Sequence, residues 1–418
     1  MFFQLVPNIS ITGEVISCIS FFIFSIIASA GGIGGGGIYT SVLIAFGSGV
    51  HVAIPLSKLV IFSGSFILFC YNIWQKTPQG TPRIAWDLIF LTENAVVLGG
   101  IAGAMVNGVL PQWALLICEV IFLIYQSFTM IKKGVQKLKE DLKKFKQEKQ
   151  HNEIKLQAED NLPLPTSTNI SQPLLSSDAI FEEEEPKVTK LGHLRQINIP
   201  RLFNFVFFYL VQLGLTIGRS IVPTCKTVYW VLLTLNLVVA MLATFINYLL
   251  TQRSVAKNQK LLLNADINPP YGFWSFYGRF VGISIVAGVV AAAFGLGGGL
   301  VKNPMFISMG VPPLATRNVS GAMIAFTSLA SLMQYWVQGQ VDISYSWVFM
   351  LMLVVGFPGG YFLSDKIIKV VKSTAVIQLA MGCTMVVSCV VIMVQLVKEI
   401  IEMVKTGVVP SFRNFCNA

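Results

Sequence analysis

Ala30-Gly31-Gly32-Ile33-Gly34-Gly35-Gly36-Gly37 is a dense glycine cluster inside an apolar segment, and Gly295-Leu296-Gly297-Gly298-Gly299 repeats its pattern far along the chain. At one constant offset, Gly32 falls on Gly295, Gly36 on Gly299 and Ser57 on Ser320. Such clusters leave backbone N–H and C=O groups that lipid cannot satisfy, so they occur where protein or a polar cavity surrounds them. Two clusters in matching halves are typical of a substrate site between the repeats of a secondary transporter.

The composition predicts a membrane protein. Hydrophobic residues make up 54% of the chain and charged residues 12%, and the mean hydropathy is +0.69. A soluble domain carries about twice that charged fraction. Several apolar runs exceed the roughly 20 residues that a helix needs to cross a bilayer. We therefore expect an all-α, multi-pass integral membrane protein rather than a soluble α/β enzyme, with two homologous helical repeats and two extra helices between them.

Changes in composition divide the chain. A lysine-rich block follows Met130, and a Pro/Ser/acidic stretch follows that block. The block resembles a cytoplasmic juxtamembrane segment, not a nucleic-acid surface. The expected units are a first transmembrane repeat at 1–131, a cytoplasmic and partly disordered linker at 132–199, two additional transmembrane helices at 200–250, a cytoplasmic loop at 251–272, a second transmembrane repeat at 273–397 and a C-terminal tail at 398–418.

The lysine and arginine bias sets the orientation, because basic residues in short loops favour the cytoplasmic side. The linker and the loop 251–268 are then cytoplasmic, and the lysines within 366–372 also belong there. Both conditions hold if the segment 275–310 turns back at its glycine cluster, which makes the two repeats inverted. If that segment crosses once, the repeats are parallel and those lysines face outward. We favour the inverted arrangement.

The glycine clusters form the predicted site. A helix that begins after such a break points its N–H groups, with about half a positive charge, toward the break. Glycine also lets an anion approach the backbone closely. The alternative is close packing of helices through small residues. The candidate anion-binding glycines are Gly34, Gly35, Gly36, Gly297, Gly298 and Gly299.

Polar residues near the clusters are further candidates. Ser57 and Ser320 could donate hydrogen bonds to a bound anion, or bond to a carbonyl one turn earlier in their own helices. Lys302 is costly within a bilayer, by about 2.5–3.5 kcal/mol, and an anion is its natural partner. Arg317 has the same cost, and either side chain could instead reach the membrane interface. Glu93 is a candidate for proton coupling, and Glu119 is expected to pair with a basic residue.

The chain resembles the TauE/SafE family of sulfite-exporter-type membrane proteins, in particular its plant and protist branch. The resemblance rests on both glycine stretches with Pro304, Gly310 and Pro313, on Asp87 and Glu93, on Gly99, Gly103, Asn107 and Pro111, on Cys225 with Tyr229 and Trp230, and on Gln334 with Tyr335. It implies transport of sulfite, sulfonates or related small anions. Gln334 and Tyr335 would then close one side of the site. Lys302 and Asn303 stand where the family usually has an apolar and a small residue, and both are predicted to contact substrate.

The predicted function is secondary transport of a small inorganic or organosulfur anion, by alternating exposure of a site between the two breaks. Proton coupling is a further expectation, and Arg317 is a candidate for gating. We expect no enzyme activity, cofactor, metal site or nucleic-acid partner. Two alternatives remain open: an anion channel, and a non-transporting scaffold or receptor subunit with the same fold. A site plugged by Lys302 and a nearby carboxylate would favour the scaffold.

Overall fold

The computed structural model describes residues 11–45, 50–75, 82–160, 199–223, 226–256, 273–293, 298–341 and 343–408. Within these ranges the chain forms twelve helices: α1 (Ile11–Gly31), α2 (Gly36–Ala45), α3 (Val50–Ile73), α4 (Trp86–Val109), α5 (Gln112–Asp160), α6 (Ile199–Ile221), α7 (Thr227–Ala256), α8 (Phe273–Ala293), α9 (Gly298–Ser308), α10 (Pro313–Val337), α11 (Ile343–Val371) and α12 (Ala375–Thr406).

Seven of the described helices, α3 to α7 together with α11 and α12, are long and apolar enough to cross a membrane. The helices α1 and α8 contain shorter apolar segments, Val15–Gly31 and Gly278–Ala293. A membrane span needs about 20 apolar residues, which these seven helices exceed. The protein is an all-α, multi-pass integral membrane protein, as the composition predicts.

The first glycine cluster interrupts its helix. After α1 ends, Gly32, Gly34 and Gly35 have φ values of 67°, 78° and 67°. This left-handed region is open to glycine and costly for other residues, so the run ends one helix before α2 begins. In the second half, α8 ends at Ala293 and α9 begins at Gly298. The predicted site residue Gly297 lies outside the described residues.

The helices α4 and α8 pack backbone to backbone through small residues. A Cβ atom at Gly99 would lie 2.0 Å from the carbonyl oxygen of Ile285, and one at Gly103 would lie 2.2 Å from that of Val289. The two contacts advance in the same direction along both helices, so α4 and α8 run parallel. Close approach through small residues is a common means of helix association in membranes.

The helices α1 and α11 repeat this arrangement. A Cβ atom at Gly356 would lie 1.7 Å from Ser25 Oγ, and one at Gly360 would lie 2.0 Å from the carbonyl oxygen of Ile26. These helices therefore also run parallel. In addition, α3 packs on α10 and α5 packs on α12. If α1 to α5 correspond to α8 to α12, every one of these pairings maps onto itself or onto its counterpart, as a two-fold relation between halves requires.

Contacts at one end of the molecule favour the inverted arrangement. Arg83, just before α4, pairs with Asp365 near the end of α11 at 2.6 Å. Asn318, in the first turns of α10, donates a hydrogen bond to the carbonyl oxygen of Arg83. The start of α4 and the end of α11 therefore lie together, although these helices occupy corresponding places in the two halves. An inverted repeat remains our prediction, and this packing supports it.

Two helices extend beyond the boundaries that the sequence predicts for the transmembrane repeats. The helix α5 continues through residue 131 to Asp160, and α12 continues past residue 397 to Thr406. The two run antiparallel, since Gly134 contacts Leu379 and Gly382 contacts Ile131.

The additional helices α6 and α7 are held to α4 by a buried arginine. Arg201 of α6 pairs with Asp87 of α4. Its Nη2 also donates a 2.7 Å hydrogen bond to Thr251 Oγ1 of α7. The first half and the two inserted helices are thus joined by one guanidinium at the same end of the molecule as Arg83.

Candidate functional site

The two helix breaks meet inside the protein. The side-chain amide of Asn303, in α9, donates hydrogen bonds to the carbonyl oxygens of Gly31 and Gly32, each at 3.0 Å. A Cβ atom at Gly299 would lie 2.9 Å from the carbonyl oxygens of Gly32 and Ile33. Asn303 thus satisfies carbonyl groups that the end of α1 leaves free. The close approach requires glycine at position 299.

A hydroxyl group supports the same junction. Ser320, fully buried in α10, donates a hydrogen bond to Asn303 Oδ1. At the repeat offset, Thr40 and Ser57 take the places of Asn303 and Ser320, and their hydroxyl oxygens lie 2.8 Å apart. Ser57 Oγ also donates to the carbonyl oxygen of Ile54 at 2.8 Å. In the first half, the alternative bond to the serine's own helix is therefore the one that forms.

Lys302 places a positive charge at the start of α9. Its side chain is fully buried, and a Cβ atom at Gly298 would lie 3.3 Å from Lys302 Nζ. The ammonium therefore lies over the first residue of its own helix, where the helix dipole is also positive. Glu93 Oε2, on α4, lies 3.8 Å away and is equally buried. Among the described residues, neither Lys302 Nζ nor either Glu93 oxygen forms a hydrogen bond.

Tyr39 occupies the position equivalent to Lys302 in the first half. A Cβ atom at Gly35, the counterpart of Gly298, would lie 3.0 Å from the Tyr39 hydroxyl oxygen. That hydroxyl is fully buried and has no hydrogen-bond partner among the described residues. At the start of each short helix, α2 and α9, a buried polar side chain therefore folds back over a glycine: Tyr39 over Gly35, and Lys302 over Gly298. One of these groups is a cation and the other is neutral.

Arg317 lies beside the first break but is committed to an ion pair. A Cβ atom at Gly32 would lie 2.6 Å from the carbonyl oxygen of Arg317. The guanidinium pairs with Asp365 at 2.5 Å and stacks on the Tyr361 ring, with its Cζ 4.1 Å from the ring centroid. Only 1% of the Arg317 side chain is exposed, so it does not reach the interface. With Arg83 on the other Asp365 oxygen, this network ties α10, α11 and the start of α4 together.

The structure does not bring every predicted residue to the junction. Gln334 and Tyr335 lie in the last turn of α10, where their carbonyl oxygens accept hydrogen bonds from Gln338 and Gln340. Fourteen helical residues separate Gln334 from Ser320, which corresponds to about 21 Å at 1.5 Å per residue. These two residues therefore belong to the opposite end of α10 from Arg317.

Gly34 lies at the junction, whereas Glu119 lies in the contact between α5 and α12. A Cβ atom at Gly34 would lie 3.0 Å from the Ile324 side chain, which a Cβ atom at Gly299 would also meet. Glu119 is buried in α5, within the apolar α5–α12 contact, and forms none of the ion pairs found within the described residues. Its expected pairing with a basic residue is therefore not seen.

A surface groove of about 310 Å³ lies where the start of α5 meets the end of α12. It is lined by Trp113, Ile400, Met403 and Val404. Its lining is apolar and suits lipid tails rather than an anion. The chemistry that could hold an anion lies at the junction of the breaks instead.

Sequence reasoning missed four residues that the structure places near the site. Tyr39 and Thr40 could have been found by applying the glycine offset to Lys302 and Asn303. Asp365 and Tyr361 carry no such signal, because the sequence does not reveal that the end of α11 packs on the start of α10.

The comparisons with known proteins agree with this architecture. A family model described as "Sulfite exporter TauE/SafE" matches residues 17–161 and 189–399. The chain belongs to the TauE/SafE family. The Arabidopsis thaliana protein named sulfite exporter TauE/SafE family protein 5 is 26% identical over 372 residues, covering 87% of this chain and 79% of the relative. Family protein 1 of the same plant is 25% identical over 397 residues, covering 92% and 83%. No solved structure matches the chain.

Membership of the TauE/SafE family has a direct consequence for function. The family comprises membrane transporters of the sulfite-exporter type. This protein is accordingly a transporter-type membrane protein rather than an enzyme. A small anion and the lipid bilayer are the partners that the family implies.

Proposed function

We propose that the protein carries a small sulfur-containing oxyanion across the membrane as a secondary transporter, with its site at the junction of the two helix breaks. The observation that carries the proposal is the buried contact between α9 and the first break, with Lys302 at the start of α9. Broken helices that meet near the middle of a transporter commonly direct their N-terminal ends at an anionic substrate group.

The charge at the junction favours an anion. The Lys302 ammonium and the N-terminus of α9 are both positive, and α2 presents its own N-terminus at Gly36. The buried Tyr39 hydroxyl at the first break has no hydrogen-bond partner among the described residues, so it and the Lys302 ammonium could donate to the oxygen atoms of a bound oxyanion. The Arabidopsis relatives are named as sulfite exporters, and the sulfur chemistry of the proposal follows from those names.

Alternating exposure would use the inverted relation that the helix pairings support. The Arg83–Asp365–Arg317 network closes one end of the junction by joining parts of both halves. Exposure toward that end requires these ion pairs to separate. Because Arg317 also contacts Gly32, such a movement would reach the first break directly.

The test is uptake of radiolabelled thiosulfate and sulfite by proteoliposomes containing purified protein. Tyr39→Phe removes a hydroxyl donor that has no partner within the described residues, and a hydrogen bond to a charged group contributes about 1.5–3 kcal/mol. We therefore expect flux at low substrate concentration to fall about tenfold or more. Gly321→Ala is the matched control, because a Cβ atom there meets nothing within 4 Å. Wild-type vesicles that accumulate neither anion, or equal flux in both variants, would contradict the proposal.

One observation favours the alternative of a non-transporting scaffold. Lys302 lies near a buried carboxylate, Glu93, which is the arrangement expected if the cation fills its own site. A scaffold of this kind would neither bind nor move sulfur oxyanions. Equilibrium binding of thiosulfate to the purified protein separates the two functions, because a transporter must bind its substrate even where flux is slow.

A further inference from the structure

The Lys302–Glu93 pair bridges two helices from different halves of the protein. Lys302 lies on α9 and Glu93 on α4, and both side chains are at most 1% exposed. Their charged atoms are 3.8 Å apart, beyond hydrogen-bond distance. A buried ion pair is stable only when hydrogen bonds satisfy its remaining donors and acceptors. This pair has none among the described residues, so it is well suited to be separated by a competing anion.

Few other charges near Glu93 could compensate for such a separation. On α6, Tyr209 donates its hydroxyl to the carbonyl oxygen of Phe326 at 2.8 Å. On α10, Arg317 is bound to Asp365. Arg253 of α7 and Arg279 of α8 are exposed at the surface.

The remaining carboxylate on Glu93's own helix, Asp87, is paired with Arg201 of α6. Within the part of the chain that the structure describes, Lys302 is therefore the cation placed against Glu93.

We propose that binding of one anion beside Lys302 places one proton on Glu93. The inference rests on the proposed function and deepens it, since it makes the transporter a coupled carrier of one proton with each monovalent anion. Before binding, the ammonium and the carboxylate sum to zero charge. An added anion leaves a net negative charge in a buried site, which is costly. A proton taken up from the bulk solution, and replaced there by the buffer, forms an O–H bond on a Glu93 oxygen and restores neutrality, while Lys302 keeps its proton and binds the anion.

The test is calorimetric titration of the purified protein with methanesulfonate or thiosulfate, neither of which titrates near neutral pH. Titrations in two buffers with different enthalpies of protonation give the number of protons taken up per anion bound. We expect about one proton per methanesulfonate at neutral pH, and binding about tenfold tighter for each unit by which the pH is lowered.

Two variants make the assignment specific. Glu93→Gln should bind the anion with no proton uptake and with an affinity independent of pH. Glu119→Gln changes another buried carboxyl group, one that forms no ion pair with Lys302 among the described residues, and should keep the wild-type proton count. Wild-type binding without proton uptake, or an unchanged proton count in Glu93→Gln, overturns the inference and leaves the proposed function standing. Failure of both anions to bind contradicts the proposed function itself. If Glu93→Gln does not fold, the wild-type proton count and pH slope still decide.

Discussion

At the scale of single residues, the site combines a repeated backbone with unequal side chains. Gly35 and Gly298 correspond, and each is covered by the residue four positions later. In the first half this residue is Tyr39, and in the second it is Lys302. The symmetry therefore belongs to the backbone breaks, whereas the buried cation over a helix start is Lys302 of α9, whose counterpart Tyr39 is neutral. An anion bound at the junction would accordingly be held by the second half.

Gly32 should be far less tolerant of alanine than Gly310. Both have positive φ values, 67° and 90°, which cost alanine about 1–2 kcal/mol. At Gly310 a Cβ atom meets nothing within 4 Å, but at Gly32 it would lie 2.6 Å from the carbonyl oxygen of Arg317. In detergent, the unfolding temperature should fall modestly for Gly310→Ala and clearly further for Gly32→Ala. Equal losses would mean that the junction is not closely packed.

The glycine clusters could be predicted at this scale, since their density exceeds what ordinary helices carry. The carboxylate of Asp365 could not, because a charge near a helix end usually signals only a membrane boundary. What makes it important is the pairing with Arg83 and Arg317, which come from distant parts of the chain. The cost of a charge in a bilayer predicts a role for Lys302 and, separately, for Glu93, but the sequence does not show that the two residues are paired.

At the scale of helices, two parallel pairs hold the breaks in place. The pair α4–α8 positions the end of α8, where Asn107 donates a 2.6 Å hydrogen bond to the carbonyl oxygen of Ala293. The pair α1–α11 does the same for the end of α1, through Gly356 and Gly360. A long helix of the other half therefore packs against each helix that ends at a break: α11 against α1, and α4 against α8.

Two glycines in α4 should differ in their tolerance of alanine. A Cβ atom at Gly103 would lie 2.2 Å from the carbonyl oxygen of Val289, so Gly103→Ala must force α8 away. Overpacking of this kind costs about 1–3 kcal/mol. At Gly100 a Cβ atom meets nothing within 4 Å, and Gly100→Ala should be neutral. Yield and unfolding temperature of the two variants measure the difference. A tolerated Gly103→Ala would contradict the parallel packing.

The sequence predicts most helices but not their packing partners. Apolar length suffices to recognise a membrane span, because the bilayer imposes the same requirement on every helix. The extension of α5 to Asp160 follows from its Lys, Glu and Gln residues, which favour helix without any membrane. The pairing of α4 with α8 depends instead on surfaces far apart in sequence, which local patterns do not specify.

At the scale of the whole molecule, the helix pairings favour two halves of opposite orientation. The helix α1 runs parallel to α11, and the lysines within 366–372 place the end of α11 on the cytoplasmic side. The N-terminal end of α1 then faces away from the cytoplasm. With parallel repeats, the first segment would cross once and start on the cytoplasmic side.

Thiol labelling distinguishes these orientations. The chain has seven cysteines, so the experiment uses a variant in which they are replaced. A cysteine at position 8, as Asn8→Cys, should react with a membrane-impermeant maleimide applied to the non-cytoplasmic side of intact membranes. A cysteine in the linker, as Asn169→Cys, should react only after permeabilisation. Protection of both positions until the membrane is opened would rule out the inverted arrangement.

The central claim is that the junction of the two breaks is an anion site whose charge is supplied by Lys302. Its most direct test is thiosulfate flux into proteoliposomes containing Lys302→Gln, compared at equal protein density with wild type and Gly321→Ala. The account predicts that wild type and Gly321→Ala transport thiosulfate at similar rates, whereas Lys302→Gln, folded and inserted, loses nearly all flux. Wild-type rates in Lys302→Gln would contradict it.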